Sequence, residues 1–332
     1  MCRWLRWWSA GSAVGLLTGC AEAGAPSIMA PRGPAAAEIA QLWWLLLGMG
    51  SAVYLVVMAL LVLSLIRRGR EDAPLSERER RGGNRMIVAG LLLALVILLV
   101  VFGFTLTTQI AISVPDESGE ITIRVIGRQW WWEVHYPNEQ IVTANEIHIP
   151  VGQPVRVELM AGDVIHSFWA PELHGKLDMV PGQTNVTWLK ADEPGEYWGL
   201  CAEFCGIQHA KMRFLVVAEP PEAYAAWVAQ QQQPAAPPSS DLAARGQAIF
   251  MGGSCVHCHA IAGTEAAGRL GPDLTHVASR RTLGAGALPF NRGNLAGWVV
   301  DPQHIKPGNL MPAAALTGEE LQALLAYLEG LQ

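Results

Sequence analysis

Two unbroken apolar runs dominate the first third of the chain, at about 39–66 and 86–110. Each reaches or exceeds the ~20 residues a helix needs to cross the hydrocarbon core of a bilayer, so the pattern predicts a two-helix transmembrane hairpin over 39–110. The stretch between the runs carries Arg67, Arg68, Arg70, Arg78, Arg80, Arg81 and Arg85. By the positive-inside rule this loop faces the cytoplasm and everything after the second helix lies outside. Trp43 and Trp44 then fall at the outer interface, where aromatic rings serve as anchors or simply pack. Past residue 110 the pattern changes to short alternating runs at 121–125, 154–159, 185–189 and 212–216, separated by Gly and Pro. Period two with such breaks predicts a β-sandwich over 111–229.

The Gln-, Pro-, Ala- and Ser-rich stretch 230–240 has too little apolar surface for a core and reads as a semi-extended linker. Helical periodicity returns at both ends of 241–332 around Gly-rich loops, which predicts a small all-α domain. At the other end, residues 1–19 carry Arg3 and Arg6 and then an apolar stretch too short to span a bilayer, the pattern of a signal peptide. Leu17-Thr18-Gly19-Cys20 resembles the lipobox of bacterial lipoproteins. That resemblance implies acylation at Cys20 and a mature extracytoplasmic segment over 20–38, the alternative being an ordinary signal peptide with an incidental cysteine.

Composition supports a membrane-attached chain: of 332 residues, 51% are apolar and 16% charged. The net charge of −6 is uneven, because from Ala111 onward thirteen Lys or Arg face twenty-three Asp or Glu. Residues 111–235 hold about −9 of this and the rest about −1, which argues against nucleic acid as a partner and favours basic ones. The six cysteines fall in three pairs, Cys2/Cys20, Cys201/Cys205 and Cys255/Cys258. A disulfide scaffold is one reading, but the two close spacings suit metal or haem better.

Cys201-Ala202-Glu203-Phe204-Cys205-Gly206-Ile207-Gln208-His209-Ala210-Lys211-Met212 packs two thiols, an imidazole and a thioether into one segment before a strand. Soft sulfur with imidazole suits copper, or zinc, better than Mg²⁺ or Ca²⁺. His166, directly after an alternating strand, is the candidate for a sequence-distant ligand. Taken singly, each residue has an ordinary role: a surface histidine, a core methionine, a redox dithiol. Together they resemble the binuclear copper (CuA) domain of cytochrome c oxidase subunit II, a cupredoxin-like β-sandwich. The resemblance implies that Cys201 and Cys205 bridge two coppers, each capped by His166 or His209, with Met212 and the Glu203 carbonyl as weak outer ligands. It also implies that the Glu203 carboxylate reaches a Mg²⁺ or Mn²⁺ shared with the catalytic subunit, with Asp163 and Asp178 nearby. Within Gly127-Arg128-Gln129-Trp130-Trp131-Trp132-Glu133, Trp130 matches the family's tryptophan at which electrons enter, and packing is the ordinary alternative.

Cys255-Val256-His257-Cys258-His259 is the signature for covalent c-type haem attachment, with His259 as proximal iron ligand. Gly271-Pro272-Asp273-Leu274 follows, as in class I cytochromes c, where the proline carbonyl orients the proximal histidine. Pro307-Gly308-Asn309-Leu310-Met311-Pro312 resembles the loop that brings the distal methionine, making Met311 the sixth ligand and the haem an electron carrier. Met251 and His257 are weaker distal candidates, and His276 and His304 read as surface residues. The whole chain resembles a caa3-type cytochrome c oxidase subunit II. This implies an electron-input subunit that works with catalytic subunit I and subunit III, takes electrons from cytochrome c or another donor, and leaves O₂ reduction and proton translocation to its partner. A quinol oxidase subunit would lack the copper ligands; a free-standing membrane-tethered carrier would lack the catalytic partner.

Overall fold

A computed structural model describes residues 25–67, 76–113 and 121–332. The signal peptide, Cys20, Arg68 and Arg70 lie outside the described residues. Helix α1 (Pro34–Arg67) and helix α2 (Glu77–Ala111) form the hairpin, and both are long and apolar enough to cross a membrane. Each outruns its apolar stretch. Arg78, Arg80, Arg81 and Arg85 therefore stand on the first turns of α2 rather than in a loop, because Ser76 and Glu79 form a reciprocal capping box that starts the helix early. Apolar side chains along both helices are exposed, as lipid-facing surface requires.

The hairpin is fastened to the sandwich at both ends. Ahead of α1, the Arg32 amide donates to the Glu172 carbonyl at 2.7 Å, and Arg32 also pairs with Glu193 at 3.0 Å. Gly33 is needed there, since a Cβ would collide with the Lys190 carbonyl. Past α2, Trp188 Nε1 donates to the Ile112 carbonyl at 3.1 Å.

Ten strands make the sandwich: β1 (Thr122–Arg128), β2 (Trp131–Tyr136), β3 (Ile141–Ala144), β4 (Glu146–Pro150), β5 (Val155–Ala161), β6 (His166–Trp169), β7 (Leu177–Met179), β8 (Asn185–Leu189), β9 (Gly195–Cys201) and β10 (Arg213–Glu219). One sheet runs β3-β2-β1-β5-β8 and the other β4-β10-β9-β6-β7. Pairing is antiparallel except β1 with β5 and β4 with β10. Inward positions of β1 and β5 alternate with outward ones, as the sequence pattern requires. The core is centred on Trp132, Phe168 and Phe214, with the two phenylalanine rings stacked at 4.3 Å.

Helix α3 (Pro221–Gln231) closes the sandwich, its Trp227 stacked on His148 at 4.2 Å. The linker after it is not free. Ala235 donates to the Ala262 carbonyl at 3.0 Å, and the Gln233 carbonyl lies 3.0 Å from His276 Nε2. His276 is thus buried, with Nδ1 2.7 Å from the Gln332 carbonyl, which corrects its assignment to the surface; His304 is exposed as expected. The second domain is built on α4 (Asp241–Gly252) crossing α7 (Gly318–Leu328), with α5 (Arg292–Val300), α6 (Pro302–Ile305) and a short hairpin, β11 (Thr282–Leu283) and β12 (Leu288–Pro289), between them.

Candidate copper and haem centres

Strand β6 carries His166 to the end of β9, where Phe168 stands opposite Cys201. The loop from Cys201 to Met212 returns to β10 and is closed at its base by the Cys201 amide, which donates to the Met212 carbonyl at 3.0 Å. The two thiol sulfurs are 3.8 Å apart. His166 Nδ1 lies 3.9 Å from Cys201 Sγ, and His209 Nδ1 lies 3.7 Å from Cys205 Sγ. Met212 Sδ is 3.7 Å from Cys205 Sγ, and the Glu203 carbonyl is 3.2 Å from Cys201 Sγ. His166 and Met212 have no exposed surface. Every residue of the expected copper set therefore lies within 4 Å of one of the two thiol sulfurs.

Two backbone features make room for this. Gly127 faces the His166 ring, and a Cβ there would sit 2.8 Å from its Cδ2. Gly206 takes φ +117 beneath Trp130, a conformation and a closeness that favour glycine. The carbonyl of Cys205 accepts from Trp130 Nε1 at 2.9 Å and Gln129 Nε2 at 2.8 Å, which holds the loop from outside.

Hydrogen bonds within this cluster set its electrostatics. The hydrogen bond between the two thiols holds Cys201 well below the ordinary thiol range, and Cys205 is pushed up in return. Burial lowers the His166 pKa, but the Cys201 and Asp163 hydrogen bonds outweigh it and leave a net rise. A cation held by the two sulfurs would displace the thiol protons. Among the described residues, His166, Cys201 and Cys205 form the one tight group of three or more metal-ligating side chains.

Asp163 and Glu203 part company. Asp163 accepts from His166 Nε2 at 2.8 Å, from the Gln129 amide at 2.7 Å and from the Val164 amide at 2.6 Å, so its oxygens serve the copper loop. The Glu203 carboxylate is half-exposed and lies 3.9 Å from Lys176 Nζ, which is itself 4.0 Å from Asp178.

In the second domain, Cys255 lies on a short 3-10 turn (Ser254–His257) that Cys258 ends, both are free thiols, and His259 follows directly. His259 Nδ1 donates to the Pro272 carbonyl at 2.7 Å, which fixes the tautomer and leaves the Nε2 lone pair available. Burial lowers the His259 pKa, keeping the imidazole neutral as an iron ligand requires. Met311 is held by its backbone: its amide donates to Asn309 Oδ1 at 2.8 Å and its carbonyl accepts from Gln303 Nε2 at 3.0 Å. His257 is exposed, and Met251 packs against the domain core. Arg280 is buried, donates to the Asp273 carbonyl, and has an Nε with no partner among the described residues.

The description "Cytochrome C oxidase subunit II, periplasmic domain" matches residues 138–219, and "Cytochrome c" matches 243–332. A cytochrome c oxidase subunit 2 from Alkalihalophilus pseudofirmus is 39% identical over 323 residues, covering 95% of this chain and 94% of that one. The chain belongs to the cytochrome c oxidase subunit 2 family. A second subunit 2, from Bacillus sp. strain PS3, is 32% identical and covers 80% of this chain and 79% of its own length. The solved periplasmic domain of cytochrome oxidase subunit II from Bradyrhizobium japonicum is 32% identical over 36% of this chain and 97% of that one, with a TM-score of 0.35. This subunit 2 chain thus joins two apolar helices, a cupredoxin-like sandwich and a cytochrome c domain.

Sequence reasoning missed two residues beside these sites, Glu146 and Lys306, and named Asp163 without its partner. Asp163 orients His166. Glu146 on β4 accepts from the Arg281 and Thr282 amides of the cytochrome domain at 2.6 and 3.1 Å. Lys306 is buried against Trp130. Only Asp163, three residues before a ligand histidine, carried a sequence signal.

Proposed function

We propose that this chain is the electron-input subunit of a respiratory haem-copper cytochrome c oxidase, anchored in a bacterial cytoplasmic membrane with both globular domains outside. The observation that carries the reading is the convergence of two thiols 3.8 Å apart, each with its own imidazole Nδ1 within 4 Å. A mononuclear blue-copper site needs one cysteine, and a zinc site has little use for the Met212 thioether, so this donor set fits a copper pair. Cys201 and Cys205 would bridge the pair, His166 and His209 would cap it, and Met212 and the Glu203 carbonyl would be outer ligands. Cys255 and Cys258 would hold haem c covalently, with His259 and Met311 as axial ligands. The unmet donor on buried Arg280 fits a haem carboxylate.

Bound in these sites, the copper pair and the haem supply one-electron transfer, while O₂ reduction to water with proton translocation belongs to catalytic subunit I. The chain's own residues supply rigidity: strands β6, β9 and β10 hold the copper loop, and the Trp130 and Gln129 side chains brace it at the Cys205 carbonyl, which keeps reorganisation small. Trp130 is the port through which the copper loop is approached. Subunit III is a further partner, and cytochrome c or another donor lies upstream. The Glu203 carboxylate would contribute to a Mg²⁺ or Mn²⁺ site completed by the catalytic subunit, with Lys176 of this chain beside it at 3.9 Å. We read residues 1–19 as a lipoprotein signal peptide with acylation at Cys20, 111–229 as the copper domain, 230–240 as the linker and 241–332 as the cytochrome.

Cys201→Ser tests this. The variant should lose the near-infrared absorption of a mixed-valence copper pair while haem c spectra stay intact, and unchanged copper content refutes the assignment. A chain that never copurifies with a haem-copper large subunit is instead a free-standing carrier.

A further inference from the structure

Lys306 is 2% exposed, and among the described residues no carboxylate pairs with it. An ammonium is costly to bury unless its donors are met. Its Nζ donates to two carbonyls, that of Trp130 in the copper domain at 3.0 Å and that of Gly284 in the cytochrome domain at 2.9 Å. The Gly284 carbonyl is presented by the tip of the β11–β12 hairpin, where Gly284, Ala285 and Gly286 all take positive φ. The next residue of the tip, Ala285, accepts from the Arg213 amide of β10 at 3.0 Å.

The same contact extends along the loop that leads to Met311. Gln208 Nε2 donates to the Pro307 carbonyl at 2.5 Å, and Lys211 Nζ donates to the Ile305 carbonyl at 2.6 Å. Gly308 lies so close to Ile207 that a Cβ there would collide with it. Residues between the copper ligands Cys205 and Met212 thus touch the stretch from the end of α6 to Gly308. On the far side of the contact Glu146 accepts the two amides of Arg281 and Thr282, and Arg281 pairs with Glu196 at 3.1 Å. The two domains are joined by buried polar groups of both signs as well as by the linker.

We propose that Lys306 is a positioning residue: its Nζ fastens the Met311 loop onto Trp130, so that the chain's own cytochrome domain stays docked on the copper loop and closes Trp130 to a separate protein donor. The inference rests on the reading that Trp130 is the port to the copper loop. A soluble donor then delivers to the cytochrome domain alone.

The test compares the full chain, loaded with haem and copper in detergent micelles, with Lys306→Met and Glu146→Ala. Hydrogen exchange is followed at the amides of Arg213, Arg281 and Thr282, and a reduced soluble cytochrome c is added as donor. Lys306→Met should raise exchange at Arg213 by roughly tenfold or more, the scale expected when two buried carbonyls lose their donor. Copper bleaching should then follow the added cytochrome directly, whereas in the wild type it trails haem reduction. Unchanged protection in Lys306→Met overturns the fastening. If that variant loses its haem or copper absorption, Glu146→Ala gives the same readout from the far side of the contact, and unchanged exchange at Arg213 there overturns the docking. Wild-type copper that bleaches ahead of the haem overturns the closure of Trp130, while the near-infrared copper absorption separately tests the assignment beneath it.

Discussion

Asp163 and His166 form a hydrogen-bonded pair at 2.8 Å in which the carboxylate accepts from Nε2 and so turns Nδ1 towards Cys201 Sγ, 3.9 Å away. The carboxylate is held in turn by the Gln129 and Val164 amides, so the ring is oriented from the backbone outward. An outer partner of this kind fixes the tautomer of a ligating histidine and raises its basicity.

Asp163→Asn keeps the size of the side chain but offers an amide where a carboxylate stood. We expect copper affinity to fall by about 10–100-fold, the usual effect of removing such a partner. Competition with a chelator measures it, and His166→Ala supplies the limit in which the ligand itself is gone. An affinity equal to wild type would mean that the pair is a surface contact with no hold on the ring.

Glu146 makes a prediction with a sign in pH. Burial raises its pKa above the ordinary 4.5, so the folded chain binds this proton more tightly than the unfolded one. Its stabilising contribution is therefore complete below about 4.5 and is lost as pH rises through the folded-state value. Glu146→Gln keeps an oxygen for the Arg281 and Thr282 amides and should remove this part of the pH dependence, leaving stability at neutral pH equal or higher. Glu146→Ala leaves two amides without an acceptor and should cost about 1–3 kcal/mol. Thermal unfolding of the haem-loaded chain against pH distinguishes the three.

The lipid-facing helices, the alternating strands and both ligand motifs were legible because each obeys a short-range rule: length, period two, or fixed spacing. Strand β4 obeys none of them, since all five of its residues are buried and it carries Glu146 and His148 into the interior. Both of its faces are covered, by α3 on one side and the sandwich on the other, and the polar side chains find partners only in the assembled chain. Lys306 and His276 were illegible for the same reason. Each stands in a polar, Gly- or Ser-containing stretch that looks solvated, and each is buried because carbonyls from distant segments come to meet it.

Gly246 sets the crossing of α4 over α7. A Cβ there would overlap the Ala323 carbonyl and stand 2.8 Å from Tyr327 Cβ. Alanine is the better helix former by about 1 kcal/mol, but the overlap is with backbone that cannot turn aside, and overpacking of this kind costs about 1–3 kcal/mol or more. Gly246→Ala should therefore lower the unfolding temperature of the cytochrome domain while copper absorption is unchanged. A rise in that temperature would show that the helices separate without loss.

Met311→Leu isolates the thioether from the loop that carries it. The Gln303 and Asn309 hydrogen bonds hold the backbone of residue 311, so the substitution should leave the loop in place and remove only the sulfur. Thioether ligation raises a haem potential and closes the iron to small ligands. The variant should accordingly show a lower midpoint potential and bind CO in the reduced state, with His259 still fixed on the Pro272 carbonyl. A redox titration with a CO difference spectrum reads both. A haem that keeps its potential and rejects CO has another distal ligand, and Met251, packed against the same core, is then the residue to change next.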